Sequence, residues 1–139
     1  DNFHNGMEYF NSFGGNPVSA AIGHEVLRVI KDEKLQQNAS LVGCSLKSML
    51  MELKNIHDII GDVRGEGLFL GIEIVDNKKS LKPLTKTAKT VVNQMKDRGV
   101  LLSTDGPENN VIKIKPPMVF NSGNAEFLIE SLHSIFSKI

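Results

Sequence analysis

Apolar residues recur along this chain with two periods, and the switches between them predict its elements. From Pro17 to about Lys31, Val18, Ala21, Ile22, Val26, Val29 and Ile30 fall at helical spacing on one side. The early turns of this first helix are small (Ser19, Ala20, Ala21, Gly23). Such a surface suits either ordinary tight packing or the docking of a larger domain. His24 and Glu25 lie elsewhere on the helix and are expected to be solvated. A second helix is predicted from about Glu33 to Lys54. Leu35, Ala39, Val42, Leu46, Met49, Leu50 and Leu53 form its stripe, with Met49 as core filler.

The period then drops to two. Ile60-Gly61-Asp62-Val63-Arg64-Gly65-Glu66-Gly67 carries three glycines and predicts a sharp bend or bulge. Residues 68–75 alternate as a strand, with Leu68, Leu70, Ile72 and Ile74 on one side. Phe69, Gly71, Glu73 and Val75 take the other. Arg64 reads as a structural arginine at a strand edge. Asp76 to Leu81 is a polar loop. A third helix is expected from about Thr85 to Arg98, burying Ala88, Val91, Val92 and Met95 and stopped by a left-handed Gly99. Val100 to Ser103 reads as a short strand, and Thr104 to Asn110 as a turn around Asp105-Gly106-Pro107. Val111 to Lys115 alternates, with Ile112 and Ile114 inward and both lysines outward, and Pro116-Pro117 ends it. A last helix from Asn121 or Ser122 buries Ala125, Leu128, Ile129, Leu132, Ile135 and Phe136. Strands this short, the last two too close for a helical crossover, predict an α+β fold. Its small, largely antiparallel sheet carries helices on one face.

Composition narrows the function classes. A length of 139 residues is enough for one domain with its own core. Sixteen basic and sixteen acidic side chains cancel, which points to neither a nucleic acid nor a membrane surface as partner. No apolar run approaches the roughly 20 residues that span a bilayer. The single cysteine, Cys44, reads as an inert thiol and fits a reducing compartment. Residues 1–6 read as a floppy terminus with a solvated His4. His133 is expected to be solvated and His57 to lie in a connecting loop. No histidines or carboxylates stand at metal-ligand spacing. A chain starting at Asp1 rather than Met is expected to be a piece of something longer.

The stretch with the most chemical character is Asn11-Ser12-Phe13-Gly14-Gly15-Asn16-Pro17. Asn16 suits an N-cap and Pro17 the first helical turn. Free amides there, with the Ser12 hydroxyl beside them, suit an anion such as phosphate. The alternative is a tight turn into a helix with nothing bound.

Residues Tyr9 to Pro17 closely resemble the segment that opens the C-terminal part of class III aminotransferases, fold-type I enzymes that use pyridoxal 5′-phosphate (PLP). Val63-Arg64-Gly65-Glu66-Gly67-Leu68 and the strand end Ile114-Lys115-Pro116-Pro117 extend the resemblance over nearly the whole chain. It implies an arm and cofactor-phosphate turn over residues 1–16. Residues 17–139 would then be a connecting helix and the C-terminal small domain, with the large domain absent. The family commonly has Thr at the position of Ser12, where its hydroxyl reaches the cofactor phosphate of the other subunit of a dimer. Ser12 keeps that hydroxyl, so Ser12 and Phe13 are the candidate cofactor residues. The lysine joined to the cofactor and the acid facing its ring nitrogen belong to the large domain in this family. No catalytic residue is therefore expected in this chain, which alone should be inactive and hold no PLP.

Lys113 departs from the pattern of many family transaminases, in which an arginine three residues before the first proline grips the substrate carboxylate. A lysine offers a point charge instead of a planar clamp. Its side of the strand allows it to line a cleft as a substrate-binding residue, or to be a solvated strand lysine. Gly6 to Asn11 and Ile112 to Met118 look most like the branch around alanine–glyoxylate aminotransferase 2. That branch includes phospho-lyases that eliminate phosphate from amino-alcohol phosphates. The partners implied are a large PLP domain, a second subunit and a small-molecule amine, in the cytoplasm or mitochondrial matrix. The competing expectation is a free-standing α+β interaction or regulatory module.

Overall fold

A computed structural model describes Gly6 and residues 10–139. The floppy terminus over residues 1–5, the solvated His4 and the Tyr9 end of the family segment lie outside the described residues. The chain divides into two compact units, residues 1–34 and residues 35–139.

In the first unit, α1 (Pro17–Asp32) starts where expected. The Asn16 side chain accepts the amides of Val18 and Ser19 at 3.0 and 3.2 Å, and Pro17 occupies the first turn. The predicted apolar stripe forms, yet α1 buries none of its residues. Val18 and Ile22 stand exposed, and Val29 and Ile30 are half-buried. Glu25 is exposed and ion-paired with Arg28.

The second unit contains α2 (Leu35–Ile56), β1 (Ile60–Glu66), β2 (Phe69–Ile74), α3 (Thr85–Lys96), β3 (Ser103–Asp105), β4 (Val111–Ile114) and α4 (Ser122–Phe136). The strands form one antiparallel sheet in the order β1-β2-β4-β3. Leu70, Ile72 and Ile74 of β2, with Ile112 and Ile114 of β4, point to one face. Leu46 and Leu50 of α2, Val91 and Met95 of α3, and Leu132 and Ile135 of α4 cover that face and complete a closed core. The α+β arrangement with helices on one face is the one expected.

Three local readings need correction. The glycine-rich segment before β2 is itself a strand. Gly61 lies at a register shift between Ile60 and Asp62, and Gly67 (φ 54°) opens a two-residue hairpin turn between Glu66 and Phe69. The expected bulge and bend are thus present, at Gly61 and at the Gly67 turn, but within a paired strand in which Gly65 lies opposite Leu70. The strand predicted at Val100–Ser103 begins only at Ser103. The Val100 amide bonds back to the Met95 carbonyl at 3.0 Å, closing the end of α3 around left-handed Gly99 (φ 82°). Leu101 is left 83% exposed, and pairing with β4 starts at Ser103 opposite Lys113. Val75, expected outward, is buried, because β2 ends at Ile74 and the chain turns to bridge Pro83.

His133 is not simply solvated. Its Nδ1 lies 2.8 Å from His57 Nε2, and the two rings tie the end of α2 to the last turn of α4. Burial, then the charges of His133 and Lys78, hold the His57 imidazole below its ordinary range. The folded state therefore favours the neutral ring, and its contribution is complete above the ordinary value near 6.5. Stability should fall as pH drops below that value towards the lowered folded-state pKa. Urea unfolding between pH 7.5 and 5 should record the loss, and His57→Gln should flatten it.

The hairpin packs on α2 through two glycines. A Cβ on Gly43 would lie 2.2 Å from the Gly67 carbonyl oxygen, which is backbone and cannot step aside. Lys47 Nζ donates to the Gly65 carbonyl at 2.9 Å, one turn further along α2. Gly43→Ala should cost about 2 kcal/mol or more in urea unfolding through overpacking. Gly23→Ala, in open space on α1, should be neutral or stabilising by up to about 1 kcal/mol.

Candidate functional site

The helix-free face of the sheet carries the polar side chains that alternation directs outward. Its centre is a row set by strand register: Arg64 on β1 pairs with Gly71 on β2, Gly71 with Lys113 on β4, and Lys113 with Ser103 on β3. Gly71 has no side chain, and a Cβ there would come within 3.1 Å of a Val111 methyl. The space above it is a groove of about 330 Å³, walled by Arg64, Phe69, Asp105, Val111 and Lys113. Lys113 lines this groove with its side chain about one-third exposed.

Both cations of the row are held by carboxylates. Arg64 Nη1 donates to Glu73 at 2.6 Å and to Asp62 at 3.0 Å. Glu73, then Asp62, raise the Arg64 pKa further above its already high value. Burial works against ionised Asp62, but hydrogen bonds from Arg64 and the Val63 amide and the charge of Lys54 outweigh it, and its pKa is lowered. Lys113 Nζ donates to Asp105 Oδ2 at 2.8 Å, and the Gly106 amide donates to Asp105 Oδ1 at 2.8 Å. Lys113 first, then Gly106, pull the Asp105 carboxyl below its usual range. Next along the same face, Lys115 Nζ sits 5.6 Å from the centre of the exposed Phe69 ring.

The Ser12 turn belongs to residues 1–34. The Asn11 side-chain oxygen accepts the Phe13 amide at 3.0 Å, and the Asn11 carbonyl accepts the Gly14 amide at 3.2 Å. Asn16 already satisfies the first amides of α1. The anion-binding corner read from sequence is therefore narrower than expected. The Phe13 amide and the helix amides are engaged within the turn, while the Ser12 hydroxyl has no partner among the described residues. Ser12 is exposed, and the Phe13 ring is 86% exposed.

Sequence reasoning singled out Lys113 but set Arg64 aside and passed over Asp105 and Gly71. The Asp-Gly-Pro turn was visible. Its alignment with a lysine eight positions on became visible only once the β3–β4 register was known.

The chain belongs to the class III aminotransferase family: the family described as Aminotransferase class-III matches residues 2–136. It is 48% identical to the Arabidopsis thaliana "Alanine--glyoxylate aminotransferase 2 homolog 2, mitochondrial", over 94% of this chain and 28% of that protein. It is 40% identical to the Caenorhabditis elegans "Ethanolamine-phosphate phospho-lyase homolog 1", over 93% of this chain and 28% of that protein. Among solved structures, a phospholyase from Arthrobacter in complex with phosphoethanolamine superposes on 100% of this chain and 33% of its own, at TM-score 0.89 and 37% identity. The chain thus spans about a third or less of the length of these relatives. The fold is that of the small α+β domain in PLP aminotransferases, and the free-standing module finds no support among these relatives. Among the described residues, no helix is long and apolar enough to cross a membrane.

The Lys113–Asp105 pair makes a direct prediction. The Asp105 carboxyl should titrate below the ordinary value of 3.8 when followed by carbon-13 NMR, and Lys113→Met should return it towards that value.

Proposed function

We propose that this chain is the C-terminal part of a homodimeric PLP enzyme that eliminates phosphate from an amino-alcohol phosphate. In this reading residues 1–16 form the arm and cofactor-phosphate turn. Residues 17–139 form the connecting helix and the small domain. The large domain supplies the lysine that carries PLP and the acid facing its ring nitrogen, and this chain alone is inactive and retains no cofactor. The setting is the cytoplasm or the mitochondrial matrix, the latter in keeping with the mitochondrial designation of the similar Arabidopsis protein.

The observation that carries this reading is Lys113, a cation over the Gly71 floor of an open groove, in a chain similar along its length to a phospholyase holding phosphoethanolamine. When bound, PLP supplies an electron sink for the carbon bearing the substrate amine. Ser12, with Phe13 beside it, holds the cofactor phosphate of the partner subunit through its hydroxyl. Lys113 offers its ammonium to the anionic end of the substrate. A proton leaves the carbon bearing the amine, and phosphate leaves from the next carbon. With water, phosphoethanolamine would give acetaldehyde, ammonia and phosphate.

A second reading, transfer of the amino group to a keto acid, is favoured by the similarity to alanine–glyoxylate aminotransferases. The two share the proton abstraction and differ in what leaves.

Incubation of the full-length, PLP-loaded protein with phosphoethanolamine alone separates them. Phosphate release without a keto acid is the expected result. Turnover that requires a keto acid would support transamination, and no turnover with either would reject both readings. Ser12→Ala should weaken PLP retention about tenfold, the cost of one hydrogen bond to a charged group. An unchanged dissociation constant would remove Ser12 from the cofactor site.

A further inference from the structure

We propose that His57 and His133 form a two-imidazole site for a divalent transition-metal ion of tetragonal preference, Cu²⁺ ahead of Ni²⁺. The site shares no residue with the groove around Gly71 and is independent of the enzyme reading.

The two histidines stand 76 positions apart, so no spacing along the chain announces them. The fold brings His57 Nε2 and His133 Nδ1 face to face at 2.8 Å. Both are carried on fixed backbone. The His57 amide donates to the Leu53 carbonyl at 2.8 Å, and its carbonyl accepts the Ile60 amide at 3.2 Å. The buried Phe136 ring backs the His57 ring, 5.5 Å between centres. His133 lies on α4, where its carbonyl accepts the Ser137 amide at 3.0 Å and hydroxyl at 2.8 Å. Ligands on rigid elements lose little freedom when an ion binds.

Between two neutral rings, one proton occupies the line joining the facing nitrogens. A metal ion takes its place. That proton moves, through water, to the outer nitrogen of the same ring. Both facing nitrogens then offer lone pairs, two water ligands leave the ion, and the neutral pair releases no net proton. The fold already favours the ligand form, because burial, then the charges of His133 and Lys78, keep His57 neutral.

The separation chooses among metals. Metal–imidazole bonds of about 2.0 to 2.1 Å put two nitrogens about 2.9 Å apart at a right angle and about 3.4 Å apart at a tetrahedral one. From 2.8 Å the first needs an opening of about 0.1 Å and the second about 0.6 Å. Right-angled, tetragonal coordination belongs to Cu²⁺ and Ni²⁺, and Cu²⁺ binds nitrogen sites more tightly than Ni²⁺ or Zn²⁺. Each ring must also swing its lone pair off the line to its partner. His χ2 is a broad torsion, and neither ring is fully buried, so that swing is cheap. Among the described residues no group of three or more His, Cys, Asp or Glu side chains can hold a metal, so water fills the other positions. The opposing charge is Lys78, which faces His57 and is partly offset by Asp58 at 3.8 Å.

The test is a titration of the nitrogen-15-labelled 139-residue chain near neutral pH with Cu²⁺, Ni²⁺, Zn²⁺ and Mg²⁺ salts. Residues 35–139 carry their own closed core. His4 and His24 are the other imidazoles, so the background is His4→Gln and His24 serves as the internal control. Submillimolar Cu²⁺ and Ni²⁺ should broaden the amides around His57 and His133 before those around His24. Zn²⁺ should shift the same amides only at higher concentration, and Mg²⁺ should leave them unmoved. His57→Gln and His133→Gln should each weaken Cu²⁺ binding on the order of tenfold or more, at least the cost of losing an outer partner of a ligand. Lys78→Gln should tighten it severalfold by removing a like charge, a gain that loss of folding cannot imitate. Broadening centred elsewhere, or Cu²⁺ binding that both histidine variants leave unchanged, overturns the proposal. If a glutamine variant loses its folded spectrum, Lys78→Gln decides, and Cu²⁺ binding that is unchanged or weaker there overturns it.

Discussion

The contact between Gly43 and Gly67 is the constraint on which the second unit turns. A helix and a hairpin approach there until a single methyl would overlap a carbonyl oxygen. With that approach, Leu46 and Leu50, one and two turns further along α2, are fully buried in the shared core. Lys47, on the same stretch of helix, reaches the Gly65 carbonyl and ties down the end of β1. Hydrophobic burial is non-directional and would tolerate several placements of α2. Backbone-to-backbone contact leaves far fewer.

From that hairpin the site follows by register. Gly67 fixes where β1 turns into β2, and the pairing then places Arg64 beside Gly71. Pairing of β2 with β4 brings Lys113 to the other side of the same glycine. A slip of one residue would turn Lys113 into the core and Ile112 or Ile114 out to solvent, a cost the buried face does not allow. The core on one face of the sheet thus dictates the chemistry displayed on the other. Asp105, the last residue of β3, completes the groove: the turn at Gly106 holds one of its carboxylate oxygens while the other meets Lys113 on β4.

The charges on this face are arranged in opposed pairs. Arg64 has two carboxylates on one nitrogen, and Lys113 has one carboxylate that the Gly106 amide also holds. Such pairs are partly exposed and contribute little to folding. Their effect is to orient two long, flexible side chains over a floor of bare backbone. The unit of residues 1–34 has the opposite character. Asn11 and Asn16 hold its turn, the Ser12 hydroxyl has no partner among the described residues, and α1 keeps an apolar stripe without a buried residue.

The sequence by itself determined the four helices, β2, β4 and the α+β class, because apolar period and cap chemistry are local properties. Asn16, Gly99 and Asn121 mark helix ends with side chains or backbone freedom that need no distant partner. It also determined the family, since the Ser-Phe-Gly-Gly-Asn-Pro turn, the Val-Arg-Gly-Glu-Gly-Leu hairpin and the Ile-Lys-Pro-Pro strand end are read residue by residue. Only the tertiary structure decided that β1 is a strand, because Val63 is the sole buried residue between its glycines and pairing with β2 supplies what periodicity lacks. It alone decided where β3 begins, since closing the end of α3 consumed the Val100 amide. The His57–His133 contact and the Arg64–Gly71–Lys113–Asp105 groove were likewise hidden: their members lie far apart in the chain, and long-range packing and register, which one sequence does not spell out, bring them together.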